Sequence, residues 1–155
     1  MNKKKTSGVK IIAKNKRAFY DFAIEKKIEA GLELVGTEVK SLRTGKANIA
    51  ESFATIDKND EAWLQNLNIP HYEFGNRNNH LETRRRKLLL HKKEIQQLSH
   101  AIKAKGLTLI PLSLYFKGSL VKMEIGLGKG KKLFDKRQDQ AKKDVQRKLQ
   151  QGKYE

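Results

Sequence analysis

The sequence is poor in several residue types, and it contains no cysteine at all. Without cysteine, the fold has no disulfide, no thiolate metal ligand and no cysteine nucleophile. No run approaches the ~18 consecutive apolar residues of a membrane-spanning helix. The basic start Met1–Lys5 is not followed by the apolar run of a signal peptide. We therefore expect a cytoplasmic protein without a membrane partner, built around one modest core.

Motifs of catalysis and cofactor binding are also missing. The sequence has no G-x-S-x-G and no HExxH, and its acidic residues form no cluster suited to a two-metal nuclease. The spacing of His71, His80, His91 and His100 fits no zinc motif and is typical of surface or loop histidines. The glycine-lysine segment 126–132 lacks the GxxxxGK[ST] spacing of a phosphate loop, so a flexible basic segment or a linker remains. We expect a protein that is not an enzyme and holds neither metal nor cofactor.

Basic residues, in contrast, are abundant. Lys and Arg number 34 against 17 Asp and Glu, which gives a net charge of +17. Residues 1–17 carry seven cations and no acid, and residues 129–155 carry ten cations and four acids, whereas the middle is nearly balanced. This distribution predicts a globular body with a flexible basic N-terminal arm and a flexible basic C-terminal tail. An anionic polymer such as RNA is the expected partner.

The hydrophobic pattern predicts short elements in the first half of the chain. Asn15 can cap a helix over about 16–27, and alternating residues from Ile28 to Leu34 indicate a strand. A short helix over 37–43 follows. Two strands over about 48–57 and 61–69 are joined by a turn at 57–60, and residues 73–83 are predicted to be an exposed loop.

The second half continues with a helix over about 92–104 that Gly106 ends. Leu112, Leu114 and Phe116 alternate after Pro111, which suits an edge position or a bulge, and Val121–Leu127 alternate strictly. Five strands with a helix between the third and the fourth is the order of an OB-type barrel. The predicted fold is therefore mainly β with flanking helices, an OB-fold-like antiparallel barrel, with an SH3-like barrel or an open α+β sheet as alternatives.

Two segments stand outside this pattern. The run Thr83–Lys87 is the densest basic stretch of the body; it precedes three leucines, and no acidic run is available to pair with it. The tail has a narrow apolar stripe at Phe134, Ala141, Val145 and Leu149, too little to hold a helix alone in water. We predict a domain over 1–132 and a tail over 133–155 that is disordered when free and helical on its RNA partner.

Several segments, taken in order, resemble one family. They are Asn15-Lys16-Arg17-Ala18, Glu29-Ala30-Gly31-Leu32, residues 36–43 with 45–48, Arg86-Lys87-Leu88-Leu89-Leu90, residues 112–115, and 128–132 followed by Asp135-Lys136-Arg137. In this order and spacing, over about residues 9–137, they resemble the SmpB family, the SsrA-binding proteins of bacterial trans-translation.

The resemblance implies an OB-fold protein that binds the tRNA-like domain of tmRNA and delivers it to stalled ribosomes. It implies that the tail occupies the empty decoding site and mRNA channel as a helix, next to small-subunit rRNA. Elongation factor Tu would be reached through tmRNA, and we expect a monomer. A structural ribosomal protein with basic extensions is the alternative function, and a ribonuclease is a third reading that the missing acid–base groups disfavour.

The resemblance also suggests site residues. By position it implies tmRNA contacts at Glu29, Leu89 and Lys122, to which we add Asn15, Lys16, Arg17, Arg86 and Lys87 from the matching segments. For the ribosome and tail we expect Lys129, Lys131, Lys132, Phe134, Asp135, Lys136, Arg137, Lys142, Lys143 and Arg147. Phe134 stands where many members have His or Tyr; a phenylalanine cannot donate a side-chain hydrogen bond to rRNA, and stacking on a base is the interaction left open to it.

Overall fold

The structure, a computed structural model, describes residues 8–45, 47–72 and 80–150. In chain order the elements are β1 (Val9–Lys14), α1 (Ala18–Asp21), β2 (Phe22–Leu32), α2 (Gly36–Arg43), β3 (Phe53–Ile56), β4 (Ala62–Gln65), β5 (Arg86–Leu89), α3 (Lys92–Lys105), β6 (Thr108–Lys117), β7 (Leu120–Gly130) and α4 (Leu133–Gln150).

All seven strands belong to one antiparallel sheet in the order β1-β6-β7-β2-β5-β4-β3. Strand β3, at one end of this order, also contacts β6 near the other end, so the sheet curls onto itself. The predicted class, mainly antiparallel β with flanking helices, is confirmed, and the curled sheet is consistent with an OB-type barrel. The described strands outnumber the five that the sequence pattern predicted.

The core fills the inside of the curled sheet. Alternating residues of β7, Val121, Met123 and Ile125, point into it as predicted, together with Leu114 of β6. Helix α3 packs Leu98 onto this core and ends at Gly106, whose φ of 66° is the left-handed conformation that glycine adopts without strain. The interior therefore fixes one face of each strand, and the outer face stays available to solvent except where α1 covers it.

The first predicted helix was wrong in extent. Helix α1 covers only Ala18–Asp21, and the chain enters β2 at Phe22. The side chain of Asn15 does not cap this helix: its Nδ2 donates to the carbonyl of Pro111 at 3.0 Å. The β2–β7 register shifts between Ile24 and Lys26, and this bulge interrupts the alternation that would have shown a strand.

Two strands went unpredicted because each lies in a basic stretch of the chain that was interpreted by its charge. Strand β1 lies within the segment that we expected to be a basic arm, and it pairs with β6. Strand β5 begins inside the arginine-rich run and pairs with both β2 and β4.

The predicted bulge at Pro111 is confirmed, since the β6–β7 register shifts between Pro111 and Ser113. Ile110 and Leu112 then form a second small core with Ala18, on which α1 sits. This cluster fixes α1 on the barrel.

Strand β7 continues to Gly130, three residues past the predicted end of the core-forming pattern. A Cβ at Gly128 would lie 2.2 Å from the carbonyl oxygen of Ala23 on β2. Gly128 therefore belongs to a close contact between two backbones and not to a flexible linker, which corrects the interpretation of this segment.

The predicted exposed loop lies partly outside the described residues, which resume at His80. His80 is buried, and its ring nitrogens hydrogen-bond Thr37 Oγ1 at 2.9 Å and the carbonyl of Ile69 at 2.8 Å. His80 thus lies outside the helices and strands, as expected of a surface or loop histidine, but it is buried and fully hydrogen-bonded. The tail forms α4, and its predicted ordering on a partner stays a prediction.

Candidate nucleic-acid interface

The outer face of the sheet carries a row of residues that runs across five strands. Leu89 of β5 is paired in register with Gly31 of β2, and Gly31 is paired with Lys122 of β7. Lys122 is paired in turn with Tyr115 of β6, and Tyr115 with Ile11 of β1. Directly paired residues of an antiparallel sheet share a face. Glu29 lies on the same face of β2 as Gly31, two residues earlier.

Three residues of this row, Leu89, Gly31 and Lys122, line a groove of about 730 Å³, called groove A, whereas Tyr115 and Ile11 line a second groove. Glu29, Leu89 and Lys122, which come from three different strands, all line groove A. The family resemblance implied RNA contacts at these three residues, and the fold brings them together. The side chain of Leu89 is 49% exposed, although it is a leucine in a strand.

Gly31 makes the floor of groove A open. It lies between Leu89 and Lys122 in the row, and a Cβ at Gly31 would lie 3.1 Å from the Cβ of Leu89. Glycine therefore leaves space between an apolar and a cationic side chain. The sequence analysis did not select Gly31 as a site residue, and only the strand register gives it a role.

Glu29 is held by two partners from β6. Tyr115 Oη donates to Oε2 of Glu29 at 2.5 Å, and Lys117 Nζ donates to Oε1 at 3.3 Å. The hydrogen bond from Tyr115, together with Lys117 and against the effect of burial, lowers the pKa of the Glu29 carboxyl. Burial, and then the bond to Glu29, raises the pKa of Tyr115. Glu29 is therefore an ionised acceptor at neutral pH, fixed in orientation at the edge of the groove.

The cations of groove A differ in their availability. Lys87 Nζ is 3.0 Å from Glu61 Oε2, and this pairing raises the pKa of Lys87. Lys122 forms no hydrogen bond or ion pair within the described part of the chain, so it can meet a phosphate. Glu29, Glu61 and Glu94 also line the groove. Groove A is thus mixed in charge and suits ribose and base donors as well as phosphates.

A second groove of about 550 Å³, groove B, continues on the other side of Glu29, which lines both. Its apolar floor includes Val9, Ile11 and Phe19, each exposed by at least 41%. Its rim carries Lys14, Asn15, Lys16 and Lys117. Lys16 is exposed there, whereas the side chain of Asn15 is tied to the carbonyl of Pro111.

Arg86 was expected to contact RNA, but it lies inside the protein. Its side chain is fully buried, its Nε donates to Oε2 of Glu38 at 2.6 Å, and its Nη1 donates to the carbonyl of Leu67 at 2.6 Å. Arg84 Nη2 donates to Oε1 of the same carboxylate at 2.6 Å. The basic run therefore has acidic partners from elsewhere in the chain: the buried Glu38 of α2 for Arg84 and Arg86, and Glu61 for Lys87. This corrects the surface role given to Arg86, which instead ties β5 to α2.

The pKa shifts of this cluster follow from its burial. Burial alone would raise the pKa of Glu38, but hydrogen bonds from Arg84, the Val35 N–H and Arg86 outweigh it and lower that pKa. Burial also lowers the pKa of Arg86, against the effect of Glu38. An arginine remains charged even so. The cluster is thus a compensated buried ion pair.

The expected tail residues lie apart from groove A. Lys131 donates its backbone N–H to the carbonyl of Asp21 at 2.8 Å and its Nζ to the carbonyl of Phe19 at 2.7 Å. Arg147 pairs with Asp144 at 2.6 Å. The structure leaves Lys129, Lys132, Arg137 and Lys142 exposed, and it places Arg17, Lys136 and Lys143 around Tyr20. The side chains of Phe134 and Asp135 lie outside the described part.

The described residues form neither a metal site nor a membrane-spanning helix. Residues 8–45, 47–72 and 80–150 contain no group of three or more His, Cys, Asp or Glu side chains placed to hold a metal ion. Within the same ranges, no helix is long and apolar enough to cross a membrane.

Comparisons with known proteins agree with this geometry. Residues 12–154 match the family described as SmpB protein. The chain is 58% identical over 145 residues to the SsrA-binding protein of Pelobacter propionicus, covering 94% of this chain and 95% of that one. It is 60% identical over 138 residues to the SsrA-binding protein of Geotalea uraniireducens, covering 89% and 91%.

A solved structure described as "tmRNA-SmpB: a journey to the center of the bacterial ribosome" is also similar. It is 46% identical in sequence and has a TM-score of 0.64, and the match covers 78% of this chain and 85% of that chain.

Proposed function

Because the chain belongs to the SmpB family, we propose that it binds tmRNA and acts with it on the ribosome in trans-translation. In finer terms, the body binds the tRNA-like domain of tmRNA, and the protein delivers it to ribosomes stalled on messages without a stop codon. The protein acts as a cytoplasmic monomer, by binding and not by catalysis. Elongation factor Tu meets it only through tmRNA.

One observation carries this proposal: Glu29, Leu89 and Lys122 come from three strands and line a single groove. Each offers a different contact to RNA. Lys122, which has no ion pair among the described residues, is a cation for a phosphate. Leu89 is an apolar surface for a base or ribose, and Glu29 is an oriented acceptor for hydroxyl or amino donors. Such a mixed set suits RNA, in which every nucleotide presents a phosphate, a ribose and a base.

The tail has a separate role in the proposal. It enters the empty decoding site and mRNA channel, next to small-subunit rRNA, where its cations meet phosphates and Asp135 accepts hydrogen bonds. The charge of the tail supports this role. Residues 129–155, which include α4, carry ten Lys and Arg against four Asp and Glu, so this segment is attracted to rRNA phosphates.

The direct test is to purify the protein from cells and identify the RNA that accompanies it. We expect tmRNA as the enriched RNA. Enrichment of ribosomal RNA alone, stable at high salt, would contradict the proposal and favour a structural ribosomal protein.

A matched pair of variants tests the groove. Leu89 and Leu120 are both exposed leucines of strands, but only Leu89 lines groove A. Leu89→Ala should weaken binding of the tRNA-like domain about tenfold, in line with the loss of a well-placed apolar contact. Leu120→Ala should leave it unchanged, and equal effects of the two would contradict the assignment of groove A.

A further inference from the structure

Three cationic side chains lie close to the aromatic ring of Tyr20. Arg17 Cζ lies 4.9 Å from the centroid of this ring, Lys143 Nζ 5.7 Å and Lys136 Nζ 5.9 Å. These distances are within the range of cation–π attraction. Arg17 belongs to the body, whereas Lys136 and Lys143 belong to α4. One aromatic ring therefore joins the tail to the barrel.

Asp21, the next residue, adds ion pairs at the same place. Its Oδ1 lies 3.4 Å from Lys136 Nζ and 3.4 Å from Arg17 Nη2. The two hydrogen bonds from Lys131 to carbonyls of α1 hold the chain just before α4 begins. Helix α1 itself is fixed by the small core under Ala18. The contact surface on the body is therefore rigid, although α1 has only one turn.

The helix presents its cationic side to this surface. Lys136 and Lys143 are seven residues apart, which places them on one side of a helix with 3.6 residues per turn. Val145 is on the opposite side, and its side chain is 52% exposed. In a helix attached through its apolar stripe, Val145 would face the body and the two lysines would face solvent. The contact with Tyr20 thus selects the orientation of α4 about its own axis.

We propose that Tyr20 and Asp21 are positioning residues for the tail: they hold its first turns on α1 and so fix the direction in which the tail leaves the barrel. This proposal rests on the ribosomal role of the tail proposed above and specifies how that tail is aimed. Helix α4 continues from Lys143 to Gln150 beyond these contacts, and this part is the one directed towards the ribosome. Holding the first turns in advance lowers the entropy cost of entering a narrow channel.

The absence of cysteine allows a direct measurement. Spin labels at Lys103→Cys, on α3, and Gln146→Cys, on α4, report the distance between body and tail; both positions are exposed. With no other change, we expect one narrow distance distribution at low salt. Tyr20→Leu should broaden it while thermal unfolding of the barrel stays nearly the same, and Tyr20→Phe, which keeps an aromatic face, should restore it. A broad distribution with Tyr20 present, or no change with Tyr20→Leu, would overturn the proposal.

Two neighbouring lysines give a matched control. Lys143→Gln should broaden the distribution, because Lys143 faces the ring, whereas Lys142→Gln should not. Equal effects of these two changes would show that general charge, and not the Tyr20 contact, holds the helix.

A second readout concerns function. In a reconstituted tagging reaction, Tyr20→Leu should lower the tagging rate about five- to thirtyfold, as expected from the loss of two exposed cation–π contacts, and Tyr20→Phe should restore it. Full tagging by Tyr20→Leu, despite a broadened distance, would refute the positioning role. Absence of tagging by the unsubstituted protein would refute the proposed function instead. The distance measurement would still show whether Tyr20 holds α4 on the body.

Discussion

Lys122 is a single residue whose contribution to binding can be isolated. It lies between Gly31 and Tyr115 on the outer face and is not neutralised by an ion pair within the described residues. Lys122→Ala should weaken tmRNA binding and reduce the slope of log affinity against log salt by ~0.7–0.9, the value for one phosphate contact. Lys103→Ala, which removes an exposed lysine of α3 outside both grooves, is the control. Equal slopes for the two variants would show that Lys122 does not meet a phosphate.

Glu38 is the residue on which we expect stability to depend most. Glu38→Gln leaves the buried Arg86 without a counter-charge and should cost about 3–5 kcal/mol in the free energy of unfolding, measured with urea. Glu94→Gln is a matched control, since both carboxylates accept a hydrogen bond from the backbone N–H at the start of their helix, Val35 and His91, both at 3.0 Å. Glu94 has no buried arginine partner, so its loss should cost about 1 kcal/mol or less.

The effect of Glu38 should also depend on pH. Its pKa in the folded protein is lowered, so its contribution is complete above the unfolded value of about 4.3 and is lost as the pH falls through the folded value. The difference in unfolding free energy between the unsubstituted protein and Glu38→Gln should therefore shrink below about pH 4. A difference that stays constant into the acid range would show that the carboxylate charge is not what matters.

Some of these residue roles could be predicted from the sequence and others could not. Lys122 alternates with Val121 and Met123, so its outward direction follows from the period of a strand. Arg86 sits in a basic run that local pattern assigns to the surface. Its carboxylate partner is 48 residues earlier, on another element, and no local pattern reveals such a pair.

At the level of elements, the tail is predicted to be separable from the barrel. Strand β7 ends at Gly130, so a chain that ends at Lys132 keeps every strand of the sheet. This truncated chain should bind tmRNA with nearly full affinity and should fail to support tagging in a reconstituted translation system. Loss of tmRNA binding, or tagging at the full rate, would each contradict the division of roles.

The elements also show where sequence reasoning fails. Helix α2 and helix α3 were predicted closely because their periodicity and their ends are local features. Strand β2 was partly taken for a helix because Glu25, Lys26 and Lys27 fall at its bulge, where alternation is lost. Strands β1 and β5 form by pairing with distant partners, and the pairing compensates for their charged sequences.

At the level of the whole molecule, the outer face predicts a preference for folded RNA. Proteins that bind single strands use exposed aromatic side chains as stacking surfaces. Among the described residues, those that line groove A include no Phe, Tyr or Trp, whereas Phe19 and Tyr115 line groove B. A tRNA-like domain should therefore bind more tightly than an unstructured RNA of the same length, measured in the same salt. Equal affinities would argue against recognition of shape.

The class of the molecule was accessible from sequence because it depends on the order of many segments. A mainly β fold follows from alternating patterns even when individual strands are missed. The candidate site was accessible only through family resemblance. The row Leu89–Gly31–Lys122 results from the register of three strands, and this register cannot be inferred from composition or periodicity.

The close approach of β2 and β7 has a consequence for inheritance. Every single-nucleotide change of a glycine codon that alters the residue adds a side chain or ends the chain, and at Gly128 any Cβ meets the carbonyl of Ala23. Gly130, two residues later in the same glycine-lysine stretch, has nothing within 4 Å of its hypothetical Cβ. In a library of all single substitutions selected for rescue of stalled ribosomes, position 128 should retain glycine alone, whereas position 130 should accept alanine and serine. A lineage can therefore drift at the second of these two glycines while the first stays fixed, even though the two look alike in the sequence.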